Sequence, residues 1–265
     1  MDGDPPAFDP EVPSIARTYD YLLGGKDNFP ADRAVGDIFK NRFPGAVQIA
    51  LDNRACLIRA VRYMTEDLGI RQFIDFGSGL PTADNVHQVA QRTAPDTAVV
   101  YVDNDPLVLA HGRALLAENP QTTVVAADIR RPAQVLAAAE VRALIDFSRP
   151  VGMILSAILH HVLATEDPPG LVQTVRDAMP AGSCLFVSHF RTLGDESSRE
   201  LEAVMIEAFG RGVWRSTEEI QAYFGDLRLV EPGVVPCALW RPDEPPGELT
   251  PWQQLIIAGL GTSSR

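Results

Sequence analysis

The chain has 265 residues, of which 46% are hydrophobic and 22% are charged. This composition is typical of a globular protein with enough apolar surface to form a core, and it excludes a disordered or collagen-like chain. The 35 acidic residues outnumber the 23 lysines and arginines, so the formal net charge is -12. Nucleic acids and anionic membranes repel such a chain, and we expect neither as a partner.

The three cysteines, Cys56, Cys184 and Cys237, are odd in number and lack metal-ligand spacing. We expect them to be reduced and buried, as in a cytoplasmic protein. No apolar run reaches the roughly 18 residues that a membrane-spanning helix needs. The sequence therefore favours a cytoplasmic location.

The N-terminal quarter of the chain predicts helices. Residues 1–13 are acidic and rich in proline, and we expect them to be disordered. Residues 14–70 predict a helical cap, with a loop at Gly24-Gly25 and an apolar stripe at helical spacing from Leu57 to Leu68.

From residue 71 onward, short apolar runs alternate with helical patterns. The predicted strands are 72–76, 98–102, 122–126, 151–156, 184–188, 228–230 and 234–239. Continuous apolar strands between helices are typical of a parallel sheet covered on both faces. We predict a doubly wound, Rossmann-like α/β domain over residues 71–241, with a mostly parallel seven-stranded sheet and a C-terminal antiparallel hairpin. Residues 242–265 have no assigned structure.

The turn after the first strand contains Gly77-Ser78-Gly79. Glycines here allow a tight turn and a close ligand, although such turns join many strands to helices and are a weak signal alone. The dinucleotide fingerprint needs a sixth-position glycine, which is Thr82 here, preceded by Pro81. The turn therefore favours a nucleoside ligand without a pyrophosphate over NAD. Thr82 is also the predicted N-cap of the next helix.

Carboxylates follow the second and third strands. Asp103 can accept hydrogen bonds from both ribose hydroxyls, whereas Asp105, followed by proline, is the predicted cap of the next helix. The alternative is that both aspartates only cap that helix. After the third strand, Asp128 can accept from an adenine amino group while Ile129 covers the ring, but the pattern fits an ordinary loop equally well.

The fourth strand ends in Ser156, and Leu159-His160-His161 follows. Two adjacent histidines cannot both face one metal from a regular element, so we expect no metal site. We place His160 in the cleft as a candidate proton acceptor and His161 in packing. The alternative for His160 is that it merely lines the pocket.

The order of these motifs resembles the class I S-adenosylmethionine-dependent methyltransferases. More specifically, the chain is similar to a bacterial S-adenosyl methyltransferase family formerly catalogued as a domain of unknown function. The similarity covers about residues 14–242 and rests on Ala16–Phe29, Phe76–Thr82, Asn85–His87, Ile145–Pro150 and Leu229–Gly233. The chain departs from the family at its end, where relatives have a glycine-rich basic tail.

This resemblance implies S-adenosylmethionine as the cofactor. The contacts it implies are Asp75, Gly77, Ser78 and Gly79 at the methionine and ribose end, Asp103 at the ribose, Asn104, Asp128 and Ile129 at the adenine, and Ser156 at the cofactor's amino group. It also implies a helical acceptor pocket before the first strand.

Residues 19–28 are expected to form a lid over the cleft. A Gly-Gly pair inside a helix would cost about 1 kcal/mol per residue, so Gly24-Gly25 indicates a hinge. The polar side chains after it need partners, which a bound methionine moiety would supply. The residues assigned to the cofactor on this basis are Tyr19, Tyr21, Lys26 and Arg54. The alternative is that the tyrosines pack on the sheet and Lys26 is solvated.

The expected activity is methyl transfer to a small-molecule acceptor by a monomer or homodimer. This chemistry is an in-line displacement at an activated carbon, so alignment matters most and few catalytic residues are needed. Two alternatives remain. One is a non-catalytic, cofactor-binding regulatory protein, and the other is an NAD-dependent oxidoreductase on the same fold, which Pro81 and Thr82 disfavour.

Overall fold

The computed structural model describes residues 8–81, 84–116 and 119–264, and within them eight strands form one sheet. The strands are β1 (Gln72–Phe76), β2 (Ala98–Asp103), β3 (Thr122–Ala126), β4 (Gly152–Ser156), β5 (Cys184–Phe190), β6 (Arg228–Leu229), β7 (Val235–Pro236) and β8 (Ile256–Thr262). The first five are parallel, in the order β3-β2-β1-β4-β5, and β8 lies antiparallel to β5. The mostly parallel, doubly wound sheet is confirmed.

The sheet has eight strands among the described residues rather than the predicted seven, and its antiparallel C-terminal strands pair differently from the predicted hairpin. Strands β6 and β7 both pair with β8 rather than with each other, and β8 comes from the segment without an assigned structure. Its glycines lower its strand propensity but are needed for packing. A Cβ on Gly259 would lie 3.0 Å from the Phe224 ring, and one on Gly261 would lie 2.9 Å from it.

Helices cover both faces of the sheet. Within the described ranges they are α1 (Ile15–Leu22), α2 (Pro30–Arg42), α3 (Ala46–Glu66), α4 (Val86–Thr93), α5 (Pro106–Leu115), α6 (Pro132–Ala137), α7 (Ala139–Leu144), α8 (Pro168–Asp177), α9 (Glu196–Phe209) and α10 (Thr217–Ala222). Helix α4 begins after Asn85, whose N–H donates to Gln88 Oε1 at 2.8 Å. The predicted cap, Thr82, lies outside the described residues.

The core consists of two apolar layers, one on each face of the sheet. Phe73 of β1 packs in the layer that contains Met64 of α3, and the next residue, Ile74, packs in the layer that contains Val172 of α8. Alternation along a strand buried on both faces explains why β1 reads as a continuous apolar run. Helices therefore occupy the faces, and the carboxyl ends of the strands remain available for a site.

Residues 8–13, expected to be disordered, instead follow a defined course beside α1 and α2. The guanidinium of Arg17 donates a hydrogen bond to the carbonyl oxygen of Val12 and forms a buried ion pair with Asp32. A buried guanidinium needs acceptors on several sides, and the preceding chain supplies one of them. Residues 1–7 lie outside the described ranges.

The cysteines and the helix lengths agree with expectation. Cys56, Cys184 and Cys237 are buried and unbridged. In the part of the chain that the structure describes, every helix is too short or too polar to cross a membrane.

Candidate active site

A cavity of about 290 Å³ opens at the carboxyl ends of β1, β2 and β4, with α1 and α3 over it. The sequence-predicted residues that line it are Tyr19, Arg54, Asp75, Gly77, Ser78, Gly79, Asp103, Asn104, Ser156 and His160. A second cavity of about 280 Å³ adjoins it, shares Asp103 and Asn104, and is lined by Asp128 and Ile129. Residues predicted from four separate strand ends therefore come together in one region.

The turn after β1 depends on its glycines. Gly77 has φ of +73° and Gly79 has φ of +66°, a conformation that L side chains rarely adopt. A Cβ on Gly77 would also lie 2.4 Å from the side chain of Ile158, which lines the cavity from the other side. The two glycines thus allow a tight turn that leaves space at the strand end.

Asp103 is fixed in place by backbone donors. Its carboxylate accepts hydrogen bonds from the N–H groups of Gly79 at 2.9 Å, Asn104 at 2.8 Å and Asp105 at 2.9 Å. Burial raises the pKa of Asp103, and these hydrogen bonds oppose that effect. Asp105 itself accepts from Leu107 N–H at 2.8 Å, which confirms it as the cap of α5.

Asp75 and Arg54 bring opposite charges into the same cavity. Burial at the end of β1 raises the pKa of Asp75 to about 7, while nearby Arg54 lowers it and Asp103 raises it further. Arg54 reaches the cavity from α3, and its guanidinium donates to the carbonyl oxygen of Asp84 at 2.8 Å. A carboxylate and a guanidinium in one enclosed space suit the ammonium and carboxylate of an amino acid.

A polar network between α3 and the strand ends was not predicted. Asn53 Nδ2 donates to Tyr19 Oη at 3.0 Å, and Ser188 Oγ donates to Asn53 Oδ1 at 2.6 Å. Ser188 Oγ also accepts from Ala157 N–H at 2.9 Å and lies 3.3 Å from Ser156 Oγ. Ser188 is the last residue of the predicted strand 184–188, so the same strand-end reasoning would have pointed to it, although β5 itself continues to Phe190.

The chain is strained where it leaves β4. Ala157 has φ of +50°, a left-handed conformation that is unusual for a residue with a side chain. This residue lines the cavity and redirects the chain into a single 3₁₀ turn, Leu159–His161. The strained position therefore sets the direction of the two histidines.

Both histidines line the cavity, which corrects the prediction that His161 packs away from it. We inferred that the two side chains point in opposite directions because we assumed a regular element. The residues instead lie on a 3₁₀ turn, where neighbouring side chains are about a third of a turn apart. The His160 ring contacts Phe190, with centroids 4.9 Å apart, whereas His161 also lines the adjoining cavity. His160 thus lies on the side away from Asp128.

Burial keeps both imidazoles neutral. It holds the pKa of His160 well below its usual value, with His161, His189 and Arg215 adding to the effect. Burial, with a contribution from Arg211, lowers the pKa of His161 to about 3. Among the described residues, neither Nδ1 atom has a hydrogen-bond partner. Both Nδ1 atoms are buried, and a neutral imidazole in the lining can accept a hydrogen bond or a proton through a ring nitrogen that faces the ligand.

The 3₁₀ turn is held from behind by Arg215, which the sequence did not indicate. Its guanidinium donates to the carbonyl oxygens of Leu159 at 2.9 Å and Val162 at 2.7 Å. It also lies 2.7 Å from Nε2 of His189. Because Arg215 is buried and bridges residues far apart in the chain, it fixes the turn that carries His160 without itself lining the cavity.

Two residues assigned to the cofactor lie elsewhere. Tyr21 Oη donates to Asp37 at 2.7 Å on the outer surface, and Lys26 is exposed. The polar groups after Gly24-Gly25 already have a partner, because Asp20 Oδ2 accepts from Asp27 N–H at 3.0 Å and Asn28 Nδ2 at 2.8 Å. These polar groups need no ligand to satisfy their hydrogen bonds, and Tyr19 and Leu22 are the residues of the segment that line the cavity.

Asp128 is partly engaged by protein. Its carboxylate accepts from Arg130 Nε at 2.8 and 2.9 Å, and Arg130 also pairs with Glu166 at 2.7 Å. Burial alone would raise the pKa of Asp128, but the hydrogen bonds from Arg130 hold it below its usual value. The ionised carboxylate beside buried Ile129 leaves an acceptor and an apolar surface facing the adjoining cavity.

The parallel sheet, the glycine turn and the two strand-end aspartates define a class I, Rossmann-like methyltransferase that uses S-adenosylmethionine. The chain belongs to the S-adenosyl methyltransferase family, whose model matches residues 2–264. Among curated proteins, none is significantly similar to it.

Solved structures agree with this family. A candidate methyltransferase from Thermobifida fusca is 47% identical, with both chains covered over 100% and a TM-score of 0.94. A DUF574 family protein from Streptomyces avermitilis is 36% identical over 96% of this chain and 99% of its own, with a TM-score of 0.92. The N-methyltransferase NodS from Bradyrhizobium japonicum, in complex with S-adenosyl-L-homocysteine, shares only the fold, at 11% identity over 94% of this chain and 100% of its own, with a TM-score of 0.51.

Proposed function

We propose that this methyltransferase acts on a small-molecule acceptor that binds in the same cavity as the cofactor. In this arrangement the methionine end lies near Asp75 and Arg54, the ribose at Asp103, and the adenine in the adjoining cavity at Asp128 and Ile129. The observation that carries the proposal is that the two cavities are neighbours that share Asp103 and Asn104 in their lining. Together they fall within the roughly 300–1,000 Å³ of small-molecule sites.

The charges of the cavity support this orientation. Among the described lining residues, Asp75, Asp103 and Asp105 carry acidic groups and Arg54 a basic one. S-adenosylmethionine carries a sulfonium and an ammonium against one carboxylate, so its net charge complements an acidic cavity. Its demethylated product is neutral overall, and the same charges hold it less strongly.

The backbone after β4 supports a role at the amino group. Ser156 and Ala157 line the cavity at the strand end, and Ser188 and Asn53 hold them in position. Carbonyl groups at this place can accept from an ammonium group, while Arg54 can pair with the carboxylate through its guanidinium. Thr18 lines the same space, and within the described chain its buried hydroxyl has no hydrogen-bond partner.

The limited volume of the cavity favours a small acceptor. Helices α1 and α3 close over the strand ends, and the chain's charge of -12 disfavours a polyanionic substrate. When bound, S-adenosylmethionine supplies an activated methyl group on a positively charged sulfur. The protein's own task is to align the acceptor with that group, exclude water and take up the proton, for which the neutral imidazole of His160 in the cavity lining is available.

Binding and transfer can be tested separately. Calorimetric titration should show binding of S-adenosylmethionine and its demethylated product but not of NAD. Asp103→Ala should weaken that binding about tenfold or more, since each hydrogen bond to a charged group contributes roughly 1.5–3 kcal/mol. Asp96→Ala, at an exposed aspartate away from the cavity, is the matched control. An unchanged dissociation constant for Asp103→Ala would refute the ribose assignment.

Labelled methyl transfer into a metabolite extract tests catalysis. A labelled small-molecule product that requires the protein supports the enzyme. Cofactor binding with no labelled product, across extracts from several growth conditions, would support the regulatory alternative.

A further inference from the structure

The central cavity has two parts with different chemistry. Among its described lining residues, the charged ones are Arg54, Asp75, Asp103 and Asp105, at or facing the ends of β1 and β2. The other part is formed by side chains from α2, α3 and α9, from the end of β5 and from the start of β8. We call it the apolar wall, and it consists of Phe39, Ile49, Phe190, Met205, Phe209 and Ile256.

The apolar wall is firmly packed beside His160. The Phe190 ring stacks on Trp214, with centroids 5.0 Å apart and an interplanar angle of 8°. Its edge-to-face contact with His160 has an angle of 86°. Both aromatic residues are buried, so this surface is preformed rather than assembled by a ligand. His160 therefore stands where the wall meets the charged part of the cavity.

Building on the proposed function, we propose that the methyl acceptor is an uncharged, largely apolar molecule that is methylated on a hydroxyl oxygen. Its apolar body lies against the apolar wall, and its hydroxyl group faces His160. The charged part of the cavity is left to the cofactor.

The wall disfavours a charged acceptor. None of its six side chains can hydrogen-bond an anion or a cation, and an unpaired charge transferred from water to such a surface carries a large desolvation cost. An apolar body gains free energy on the same surface in proportion to the area it buries. The wall therefore selects for neutral molecules.

The chemistry next to His160 favours oxygen over an alkylamine. A lone pair of the hydroxyl oxygen forms the new bond to the methyl carbon, the carbon–sulfur bond breaks with its electron pair going to sulfur, and the hydroxyl proton passes to a ring nitrogen of His160. The positive charge on sulfur is thus replaced by one on the imidazole. Once methylated, the hydroxyl oxygen carries a positive charge, and its proton is acidic enough to protonate an imidazole whose pKa burial keeps low. An alkylammonium is not acidic enough to do so, and it would also enter the apolar wall as a cation.

Three probes with one apolar body test the proposal. They are 2-naphthol, 2-naphthoate and 2-(aminomethyl)naphthalene, titrated calorimetrically at pH 7 into protein saturated with S-adenosylhomocysteine. We expect 2-naphthol to bind about tenfold or more tightly than either charged probe, a difference of about 1.4 kcal/mol. Equal or tighter binding of a charged probe, or no binding of 2-naphthol at millimolar concentration, overturns the proposal.

A pair of neighbouring variants locates the binding surface. Met205→Lys places a cation in the apolar wall. It should weaken the binding of 2-naphthol and strengthen the binding of 2-naphthoate, so that the preference for 2-naphthol falls several-fold. Ile206→Lys adds the same charge to the exposed side of the same helix and should leave the preference unchanged. Equal effects of the two variants would place the probe elsewhere and overturn the proposal. His160→Ala serves if Met205→Lys does not fold, and it should remove the advantage of 2-naphthol over naphthalene.

The cofactor titration separates the two proposals. If S-adenosylhomocysteine does not bind, the proposed function fails and the acceptor class fails with it. If S-adenosylhomocysteine binds and the protein shows no preference for 2-naphthol over the charged probes, only the acceptor class is overturned.

Discussion

Asp75 couples the site to stability through a single buried carboxyl group. In the unfolded chain this carboxyl ionises near pH 4, whereas in the folded chain its pKa is about 7. The raised pKa means that stability is lost as pH rises from about 4 to about 7 and stays reduced above that range. Asp75→Asn removes this cost. We therefore expect a higher melting temperature for the free variant at pH 8 and little gain at pH 4, measured by calorimetry.

The same substitution should weaken cofactor binding at pH 8, because the ionised carboxylate is what attracts the cationic end of the cofactor. Opposite changes in stability and binding are typical of a site residue. Asp146→Asn is the control, since Asp146 is exposed and hydrogen bonds from Ser148 hold its pKa below the usual value. A melting temperature for Asp75→Asn at or below that of the wild type at pH 8 would contradict the argument.

The two histidines should separate binding from transfer. His161 lines the adjoining cavity as well as the central one, so His161→Ala should weaken binding of S-adenosylmethionine. His160 faces the apolar wall, so His160→Ala should leave that dissociation constant within about twofold. It should instead reduce kcat about 10²-fold or more if His160 acts as the general base. Titration and labelled transfer together measure both effects, and the reverse pattern would exchange the two roles.

The place of Asp103 in the cavity could be predicted from the rule that parallel strands present their carboxyl ends at one edge. Asp75 and Ser156, which the family resemblance implied, line the same cavity, and the cofactor contacts of all three residues stay a prediction. Arg215 and Asn53 could not be found in this way, because each acts through partners that are distant in the chain. Arg215 binds the carbonyl oxygens of Leu159 and Val162, and Asn53 binds the hydroxyl groups of Tyr19 and Ser188.

At the scale of elements, β8 is the strand on which the C-terminal half of the sheet depends. It lies between β5 and β6, and a Cβ on Gly259 would be 2.9 Å from Val234 Cγ2 and 3.0 Å from Phe224 Cζ. Gly259→Val should destabilise the fold by roughly 1–3 kcal/mol through overpacking. The melting temperature should fall by roughly 2–4 °C for each kcal/mol.

Gly247→Val is the matched control, since Gly247 is exposed and a Cβ there would meet no atom within 4 Å. Its melting temperature should stay close to that of the wild type. A small effect of Gly259→Val would mean that the helix α10 side of β8 has room that the packing does not indicate.

An element could be predicted from sequence when its own side chains fill the space on its buried faces. Strands β1, β2, β4 and β5 were found because both of their faces are covered, which leaves a continuous apolar run. Strand β3 lies at the edge of the sheet and is only partly buried. Strand β8 carries glycines where the side chains of Phe224 and Leu227 fill the space. Its burial therefore depends on large side chains from neighbouring segments, which the residues of β8 alone do not reveal. The missed partner of β6 and β7 is a direct consequence.

At the scale of the whole molecule, the N-terminal helices and the sheet domain meet over the site. Ser14 Oγ, at the start of α1, donates to Asp105 Oδ2 at 2.6 Å, and Asp105 caps α5 beside the cavity. One hydrogen bond thus joins the cap of a covering helix to the cap of a helix in the domain. Ser14 and Asp105 both line the cavity, so opening of the site on the α1 side requires this contact to loosen.

Limited trypsin digestion measures that opening. Lys26 is exposed in the loop after α1, and cleavage after it reports on access to the segment. We expect S-adenosylmethionine to slow this cleavage in the wild type, because a ligand that bridges α1 and the strand ends stabilises the closed arrangement. Ser14→Ala should speed cleavage of the free protein, so that the cofactor slows cleavage by a larger factor in the variant than in the wild type. Lys26→Gln removes the cut and identifies the fragment, whereas equal rates with and without cofactor would mean that α1 is fixed scaffold.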